Sequence, residues 1–234
     1  MKRISLLSLW ILALAAHPAA AQILYQQNFN AAAPSSAANG PGGYVAVNDI
    51  SSTGWQVQGG TGGGGVNLTA GINGLGVGGS QALFGTWDYS GGSVYTWSQM
   101  TYYGIGNPGP GTTLSSIQVS LDIFMNGSES SATPISVAAV QGGGANELDF
   151  TPTLVNGAYT HVQYTLDQAT VNGGAFDPTS GFWFRIIYGN GGFGFDNPNT
   201  VQIDNVTISL IPEPGTAGLL ALGALCLIRK RRRS

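Results

Sequence analysis

Residues 116–125 read Ser-Ile-Gln-Val-Ser-Leu-Asp-Ile-Phe-Met, and this stretch decides the fold. Apolar side chains recur at every second position from Val119 to Met125, with Ser120 and Asp122 between them. Because successive side chains of a β-strand point to opposite faces, this period predicts a strand with one face on a core. The opposite face of the strand is expected to be polar and close to solvent.

The same period continues on both sides of this stretch, and clusters of Gly, Pro, Asn and Ser interrupt it at short intervals. Phe182–Tyr188 is apolar on both faces, as is typical of a central strand. The predicted strands are Ile23–Phe29, Gly54–Gln58, Gln81–Thr86, Val94–Tyr103, Ser116–Met125, Ile135–Gln141, Glu147–Thr153, His161–Leu166, Phe182–Tyr188 and Thr200–Leu210. The pattern predicts an all-β chain, with a single β-sandwich of jelly-roll type over residues 22–210.

Glycine-rich stretches are predicted to be loops between these strands. They are Gly59–Gly65, Gly71–Gly79 and Gly189–Gly194. None matches a phosphate-binding loop, because no Gly-Lys-Ser/Thr sequence and no helical pattern follows.

The charge of the body is strongly acidic. Arg185 is the only basic residue between Gln22 and Ile211, and Glu213 is the only acidic residue outside that stretch. With ten of the chain's 11 acids and one base, the body has a formal charge of −9, although the whole chain has −3. Such a body repels phosphate backbones, which excludes nucleic acid as a partner.

The N-terminal residues 1–21 are predicted to be a secretory signal peptide. Lys2 and Arg3 precede an apolar run over Ile4–Ala16, and Ala19 and Ala21 form a small-x-small cleavage site. Cleavage after Ala21 would leave Gln22 as the N-terminus of the exported body. The alternative is an anchor helix that is not cleaved, although the apolar run is short for a span.

The C-terminal residues 211–234 are predicted to be a second targeting signal. Pro212-Glu213-Pro214 is followed by an apolar segment, Gly215–Ile228, and then by the basic cluster Arg229, Lys230, Arg231, Arg232 and Arg233. A helix over the apolar segment would be about 21 Å long, against about 30 Å of hydrocarbon, and the cationic cluster would stay in the cytoplasm. The only cysteine, Cys226, lies in this segment, so the body contains no disulfide.

This three-part tail resembles the PEP-CTERM sorting signal of Gram-negative and related bacteria. The resemblance implies recognition and processing by a membrane-embedded exosortase, with transient anchoring in the inner membrane. It also implies delivery to the cell surface or to an extracellular, biofilm-type polysaccharide matrix. The alternative is an ordinary single-pass transmembrane anchor in which Pro212-Glu213-Pro214 is incidental.

The body also resembles jelly-roll carbohydrate-binding modules and lectin-like sandwiches in its first and last strands. These strands read Leu24-Tyr25-Gln26-Gln27-Asn28-Phe29-Asn30 and Val201-Gln202-Ile203-Asp204-Asn205-Val206-Thr207-Ile208. The resemblance implies that Asp204 helps to bind a structural calcium ion, although Asn28 and Asn30 stand where such modules usually have a carboxylate. A β-bulge at Asp204-Asn205 is the alternative, because the apolar phase shifts there.

No catalytic residue is predicted. Glu147-Leu148-Asp149-Phe150 resembles the start of the Glu-x-Asp-x-x-Glu motif of laminarinase-like glycoside hydrolases, but the third acid is missing. His161 is the only histidine of the body, and the strand pattern around it indicates a surface position. Spacing alone indicates no Ser-His-Asp arrangement, because many serines would qualify.

Aromatic residues are the remaining candidates for ligand binding. The candidate ligand-binding residues are Trp87, Tyr89 and Trp97. They belong to an aromatic cluster that also contains Tyr95, Tyr102 and Tyr103. Aromatic rings among amides and hydroxyls suit a sugar surface, because the rings contact C–H groups and the polar groups bind hydroxyls. The same composition also suits a sandwich core with polar loops.

The sequence therefore predicts an exported, non-enzymatic protein of the bacterial surface or extracellular matrix that associates with polysaccharide. The alternatives are a secreted glycan-active hydrolase or lyase, and a purely structural envelope protein. The expected partners are an exosortase-type enzyme, the membrane before processing, and extracellular polysaccharide. Structural calcium is the only candidate cofactor.

Overall fold

The computed structural model describes most of the body. The described residues are 21–42, 44–61, 65–90, 96–126, 135–141, 146–166, 171–173, 176–177, 179–192 and 199–211. The predicted signal peptide and the predicted sorting tail lie outside these ranges, apart from Ala21 and Ile211.

The described residues form β-strands joined by turns and short 3₁₀ segments. The strands are β1 Gln22–Gln27, β2 Ser35–Gly42, β3 Tyr44–Val47, β4 Trp55–Thr61, β5 Gly65–Asn73, β6 Ala82–Ser90, β7 Thr96–Ile105, β8 Ile117–Asn126, β9 Ser136–Gln141, β10 Asn146–Phe150, β11 Tyr159–Thr165, β12 Val171–Gly173, β13 Phe182–Gly192 and β14 Asn199–Leu210. The 3₁₀ segments are Ile50–Ser52, Val77–Gly79 and Leu114–Ser116. No described helix is long and apolar enough to cross a membrane.

Two 7-stranded sheets form the sandwich. Sheet A has the order β11-β8-β14-β6-β5-β2, and sheet B has the order β12-β10-β9-β13-β7-β4-β3. In sheet A the first half of β14 pairs with β6, and its second half pairs with β1. All pairings between these strands are antiparallel, and the chain passes repeatedly from one sheet to the other.

One core fills the space between the sheets. Leu121 and Ile123 of β8 face Trp55 of β4 and Phe184 of β13 within a single cluster of buried side chains. The Trp55 ring meets the Phe184 ring edge-on, with ring centroids 6.3 Å apart. The Trp55 indole N–H donates to the Tyr25 hydroxyl at 2.7 Å, so this large side chain is both buried and hydrogen-bonded.

The structure confirms the prediction of an all-β sandwich of jelly-roll type. Burial along β8 alternates strictly from Ile117 to Met125, as the sequence pattern requires. The predicted strands at Ser116–Met125 and Thr200–Leu210 agree with β8 and β14 within about one residue at each end.

The prediction was wrong for four strands. Strands β2, β3, β5 and β12 were missed, and parts of the predicted glycine loops lie inside β4, β5 and β13. Gly71 of β5 shows why a glycine-rich stretch can lie inside a strand, because a Cβ built there would clash with the carbonyl oxygen of Ser35 on β2. Glycine at this position permits close approach of two backbones rather than a turn.

Substitutions on the two faces of β8 are expected to differ clearly in their effect on the free energy of unfolding. Leu121→Ala is expected to lower the free energy of unfolding by about 2–5 kcal/mol, because the fully buried side chain leaves a cavity. Gln118→Ala on the outward face of the same strand is expected to change it by less than about 0.5 kcal/mol. Urea denaturation of the two variants measures both values, and equal effects would contradict the assigned faces.

Candidate functional site

Outward side chains of β4, β7 and β13 form one continuous patch, here called the sheet B surface. They point away from the core because their sequence neighbours, such as Val57 and Phe184, are buried between the sheets. Antiparallel pairing places Thr101 of β7 between Gln56 of β4 and Arg185 of β13. The members of the sheet B surface are Gln56, Gln58, Gln99, Thr101, Tyr103, Trp183 and Arg185.

Two aromatic rings and a guanidinium group form one side of this surface. The rings of Tyr103 and Trp183 stack with centroids 5.2 Å apart and an interplanar angle of 26°. The Arg185 guanidinium carbon lies 5.3 Å from the centroid of the Trp183 ring, within the range of a cation–π contact. Tyr103 is 47% exposed, so part of this aromatic group is accessible to a ligand.

Glutamine amides form the other side of the surface. Gln99 Nε2 donates to Gln58 Oε1 at 2.9 Å, and Gln58 Nε2 donates to Gln56 Oε1 at 2.8 Å. These bonds hold three amides in one orientation. The Thr101 hydroxyl beside them is buried and has no hydrogen-bond partner in the described part of the chain. The Thr101 side chain is 0% exposed, so its hydroxyl lies beneath the surface and is not accessible to a ligand.

Arg185 is the only basic residue of the body, and it is partly buried here. Burial lowers the pKa of its guanidinium, and the nearby Tyr103 acts in the opposite direction. Because arginine has a very high ordinary pKa, Arg185 remains a cation at neutral pH. The sheet B surface therefore combines flat aromatic faces, fixed amides and one positive charge.

Of the three predicted ligand-binding residues, the structure describes the side chain of Trp87 alone. Trp87 is only 1% exposed, and its indole N–H donates to the Gln58 carbonyl at 2.8 Å inside the sandwich. Trp87 is therefore a core residue, and its ring is not available to a surface ligand. Tyr89 lies in β6 and Trp97 in β7, but their side chains are outside the described part of the structure.

Sequence reasoning did not select Trp183 and Arg185, because the run Phe182–Tyr188 was interpreted as buried on both faces. One signal was available: the single basic residue of the body stands two positions after a tryptophan. In a strand, residues two positions apart share a face, so a charge at Arg185 indicates that Trp183 also faces outward.

Asp204 is a buried carboxylate on β14. It is 0% exposed, and both of its oxygens accept hydrogen bonds from the chain. Oδ2 accepts from the Ser80 hydroxyl at 2.5 Å and from the Val77 N–H at 3.1 Å, while Oδ1 accepts from the Asn205 N–H at 2.7 Å. The carboxylate thereby attaches the turn before β6 to the central strand.

The predicted β-bulge at Asp204-Asn205 is confirmed. The register between β14 and β8 shifts between Asp204 and Thr207, and Asn205 has a φ of 51°. The described residues contain no group of three or more His, Cys, Asp or Glu side chains that could hold a metal ion. The described partners of the Asp204 oxygens are N–H and O–H groups of the chain.

The remaining candidates are placed as follows. Glu147 and Asp149 lie in β10, opposite Val140 and Ala138 of β9, and their side chains are outside the described part. His161 lies on the outward face of β11, opposite Asp122 of β8. The sorting residues Pro212, Glu213, Pro214, Arg229, Lys230, Arg231, Arg232 and Arg233 are outside the described residues.

Comparison with known proteins gives likenesses of fold at low sequence identity. No protein-family model matches the chain, and no curated protein matches its sequence. A family 11 carbohydrate-binding module from Clostridium thermocellum, solved with a β-1,3-1,4-mixed-linked tetrasaccharide, is 14% identical with a TM-score of 0.44, over 73% of this chain and 98% of that chain. A family 30 carbohydrate-binding module is 14% identical with a TM-score of 0.45, over 81% and 90%. A β-1,2-glucanase from Parabacteroides distasonis is 13% identical with a TM-score of 0.45, over 82% and 25%.

The buried carboxylate gives a prediction about stability. Asp204→Asn is expected to lower the free energy of unfolding by roughly 2–4 kcal/mol, because the new NH₂ group faces chain donors instead of accepting from them. Asp88→Asn, at an exposed position of β6, is the matched control and is expected to have little effect. An equal loss in both variants would contradict the structural role of Asp204.

Calcium binding through Asp204 stays a prediction, and the same pair of variants tests it. It would raise the melting temperature of the unmodified chain in millimolar calcium, compared with a chelator, and this shift would be absent from Asp204→Asn. If calcium shifts both proteins equally, the ion binds elsewhere.

Proposed function

We propose that this chain is an exported protein that binds polysaccharide without cleaving it, at the bacterial surface or in the extracellular matrix. The sheet B surface is the proposed binding site. The single observation that carries the proposal is the stacked Tyr103–Trp183 pair beside the fixed amides and Arg185 on one outward face.

The chemistry of this surface matches a sugar ring. A pyranose has faces of C–H groups that pack against aromatic rings, and its rim of hydroxyls both donates and accepts hydrogen bonds. The amides of Gln56 and Gln99 offer donors and acceptors on the same outward face as the rings. Because the glutamines are held by each other, little side-chain entropy is lost when a sugar binds.

The charge of the body favours neutral polysaccharides. Its formal charge of −9 repels strongly acidic polymers over the range of the Debye length, which is about 8 Å at physiological salt. Arg185 is the only local positive charge and is already close to the Trp183 ring. One guanidinium suits hydrogen bonds to sugar hydroxyls rather than neutralisation of a polyanion.

The two ends of the chain support the proposed location. We propose that residues 1–21 direct export and that residues 211–234 act as a PEP-CTERM signal for an exosortase-type enzyme. The basic cluster after Ile228 would hold the tail in the inner membrane until the chain is cut near Pro214. The acidic body would then be released to the outside.

Binding by the sheet B surface is tested with Trp183→Ala. Removal of this ring is expected to weaken polysaccharide binding about ten- to a hundred-fold, because it removes roughly 1.5–3 kcal/mol of ring contact. Affinity electrophoresis of the purified full chain in gels containing β-glucan, xylan or alginate measures the change. The neutral β-glucan and xylan gels are expected to retard the unmodified chain more than the alginate gel.

Phe124→Ala is the matched control, because this partly exposed aromatic residue lies on the outward face of sheet A. It is expected to leave the retardation unchanged. Equal weakening by both variants would contradict the assigned surface. Absence of retardation in every gel would favour a purely structural envelope protein, and new reducing ends in the polysaccharide would favour a glycan-active enzyme.

The sorting tail is tested by replacing Pro212, Glu213 and Pro214 together with alanine. In a bacterium that produces an exosortase, the unmodified chain is expected to give a shortened product outside the inner membrane. The triple variant is expected to stay at full length in the membrane fraction, because the recognition site is lost. Ser234→Ala is the control in the same tail, and identical processing of all three chains would refute the proposal.

A further inference from the structure

Three side chains on the outward face of sheet A form a line. This face lies on the side of the sandwich opposite to the sheet B surface. Ser120 and Asp122 are two positions apart on β8 and therefore share a face. His161 stands directly opposite Asp122 on the neighbouring strand β11. Cross-strand register, not proximity in sequence, brings the histidine ring between the serine and the aspartate.

The distances in this line are those of a nucleophile, a base and an orienting acid. His161 Nδ1 lies 2.8 Å from Asp122 Oδ1, and His161 Nε2 lies 3.3 Å from Ser120 Oγ. With the Nδ1 proton donated to the carboxylate, Nε2 of a neutral imidazole has a lone pair that faces the serine hydroxyl. The longer distance to Ser120 is typical of sites without substrate, where such contacts are often loose.

A fourth residue fixes the acid. Asn205 Nδ2 donates to Asp122 Oδ2 at 2.8 Å, so each carboxylate oxygen of Asp122 has one partner. Asn205 reaches this position from the β14 bulge, with a φ of 51°. The bulge thus directs a side chain at the acid, a common role of bulges near functional sites.

We propose that Ser120, His161 and Asp122 form a hydrolytic triad that cleaves carboxylic esters. Ser120 Oγ attacks the carbonyl carbon while His161 Nε2 takes the hydroxyl proton. The bond between the carbonyl carbon and the alcohol oxygen then breaks, and His161 returns the proton to the leaving alcohol. Water then attacks the acyl carbon while His161 takes its proton; the bond from that carbon to Ser120 Oγ breaks, the acid leaves, and His161 returns the proton to Ser120 Oγ.

The surroundings suit an accessible ester rather than a buried one. The His161 side chain is 58% exposed, whereas that of Asp122 is 13% exposed, so the base is open and its orienting acid is covered. Gln163 of β11 and Thr207 of β14 stand opposite Ser120 on its two sides. Their amide and hydroxyl groups are the donors closest in register to an oxyanion formed on Ser120.

Asp122 acts through His161 and is a positioning residue. Asp204 stands opposite Asp122 on β14, and these two acids, after burial itself, raise the pKa of the Tyr159 hydroxyl. Tyr159 therefore stays protonated and donates to Gln202 Oε1 at 3.0 Å, next to the line but not part of it. Among the described acids, only Asp122 contacts the imidazole, so its proposed role is to orient the His161 ring.

The test uses a fluorophosphonate probe, which reacts with a serine only when a neighbouring base activates it. On the full chain, the probe is expected to label Ser120 as fluoride leaves the phosphorus. Ser120→Ala is expected to abolish this labelling, and His161→Gln is expected to slow it about a hundred-fold, within the range of general-base effects. Ser209→Ala, at another half-buried position of sheet A, is the matched control and is expected to label normally.

Turnover and positioning are measured separately. Release of p-nitrophenol from p-nitrophenyl acetate is expected to fall with Ser120→Ala in parallel with labelling. Asp122→Asn is expected to lower kcat at least about tenfold with little change in KM, and Asp122→Glu is expected to restore part of it. If Asp122 only stabilised the sheet, Asp122→Asn would lower the melting temperature without a selective fall in kcat.

The proposal is overturned if mass spectrometry finds no probe on Ser120 of the folded chain, or if Ser120 and Ser209 are labelled equally. Circular dichroism of each variant shows whether a lost signal reflects unfolding. The inference does not depend on polysaccharide binding, because Trp183→Ala is expected to leave labelling of Ser120 unchanged.

Discussion

The period of two along the central strands is the constraint on which the whole structure depends. Every second side chain of β8 enters one core, and the others have no place except an outward face. The body has no cysteine, so no disulfide supports this arrangement, and burial of apolar surface must supply the stability. The side chains of the two sheets therefore fall into one inner set, which forms the core, and two outward sets, which can bind ligands or react.

Sequence pattern predicted the fold where strands carry alternating large side chains, as in β8 and β14, and failed where they carry glycine. Strands β2 and β5 approach so closely at Gly71 that no side chain fits there, so this glycine marks close packing of two strands and not a loop. The same limit affected the site. Trp87 and Trp183 both lie in strands, and composition alone does not tell which one faces the core. Burial distinguishes them, and burial depends on which strand lies opposite.

Register explains why the line of Ser120, His161 and Asp122 could not be predicted. Two of its members are adjacent on one face of β8, which the sequence shows, but the histidine is 39 positions from Asp122. A shift of one residue between β8 and β11 would turn His161 to the other face of the sheet. The buried Leu121 and Val162 prevent that shift, because it would expose both to solvent. Core packing thus fixes an arrangement that none of the three polar residues determines alone.

The proposed sorting tail also affects how strongly the proposed binding surface can hold a polysaccharide. One stacked aromatic pair and the amides beside it contact few sugar rings, so a single site of this kind binds weakly. Many copies delivered to one cell surface or matrix would face a polymer with many identical rings. Under those conditions the second and later contacts occur at effective concentrations of about millimolar, and avidity rises without any new contact. Weak individual sites then suffice for stable association, which makes delivery by the tail as important for binding as the rings themselves.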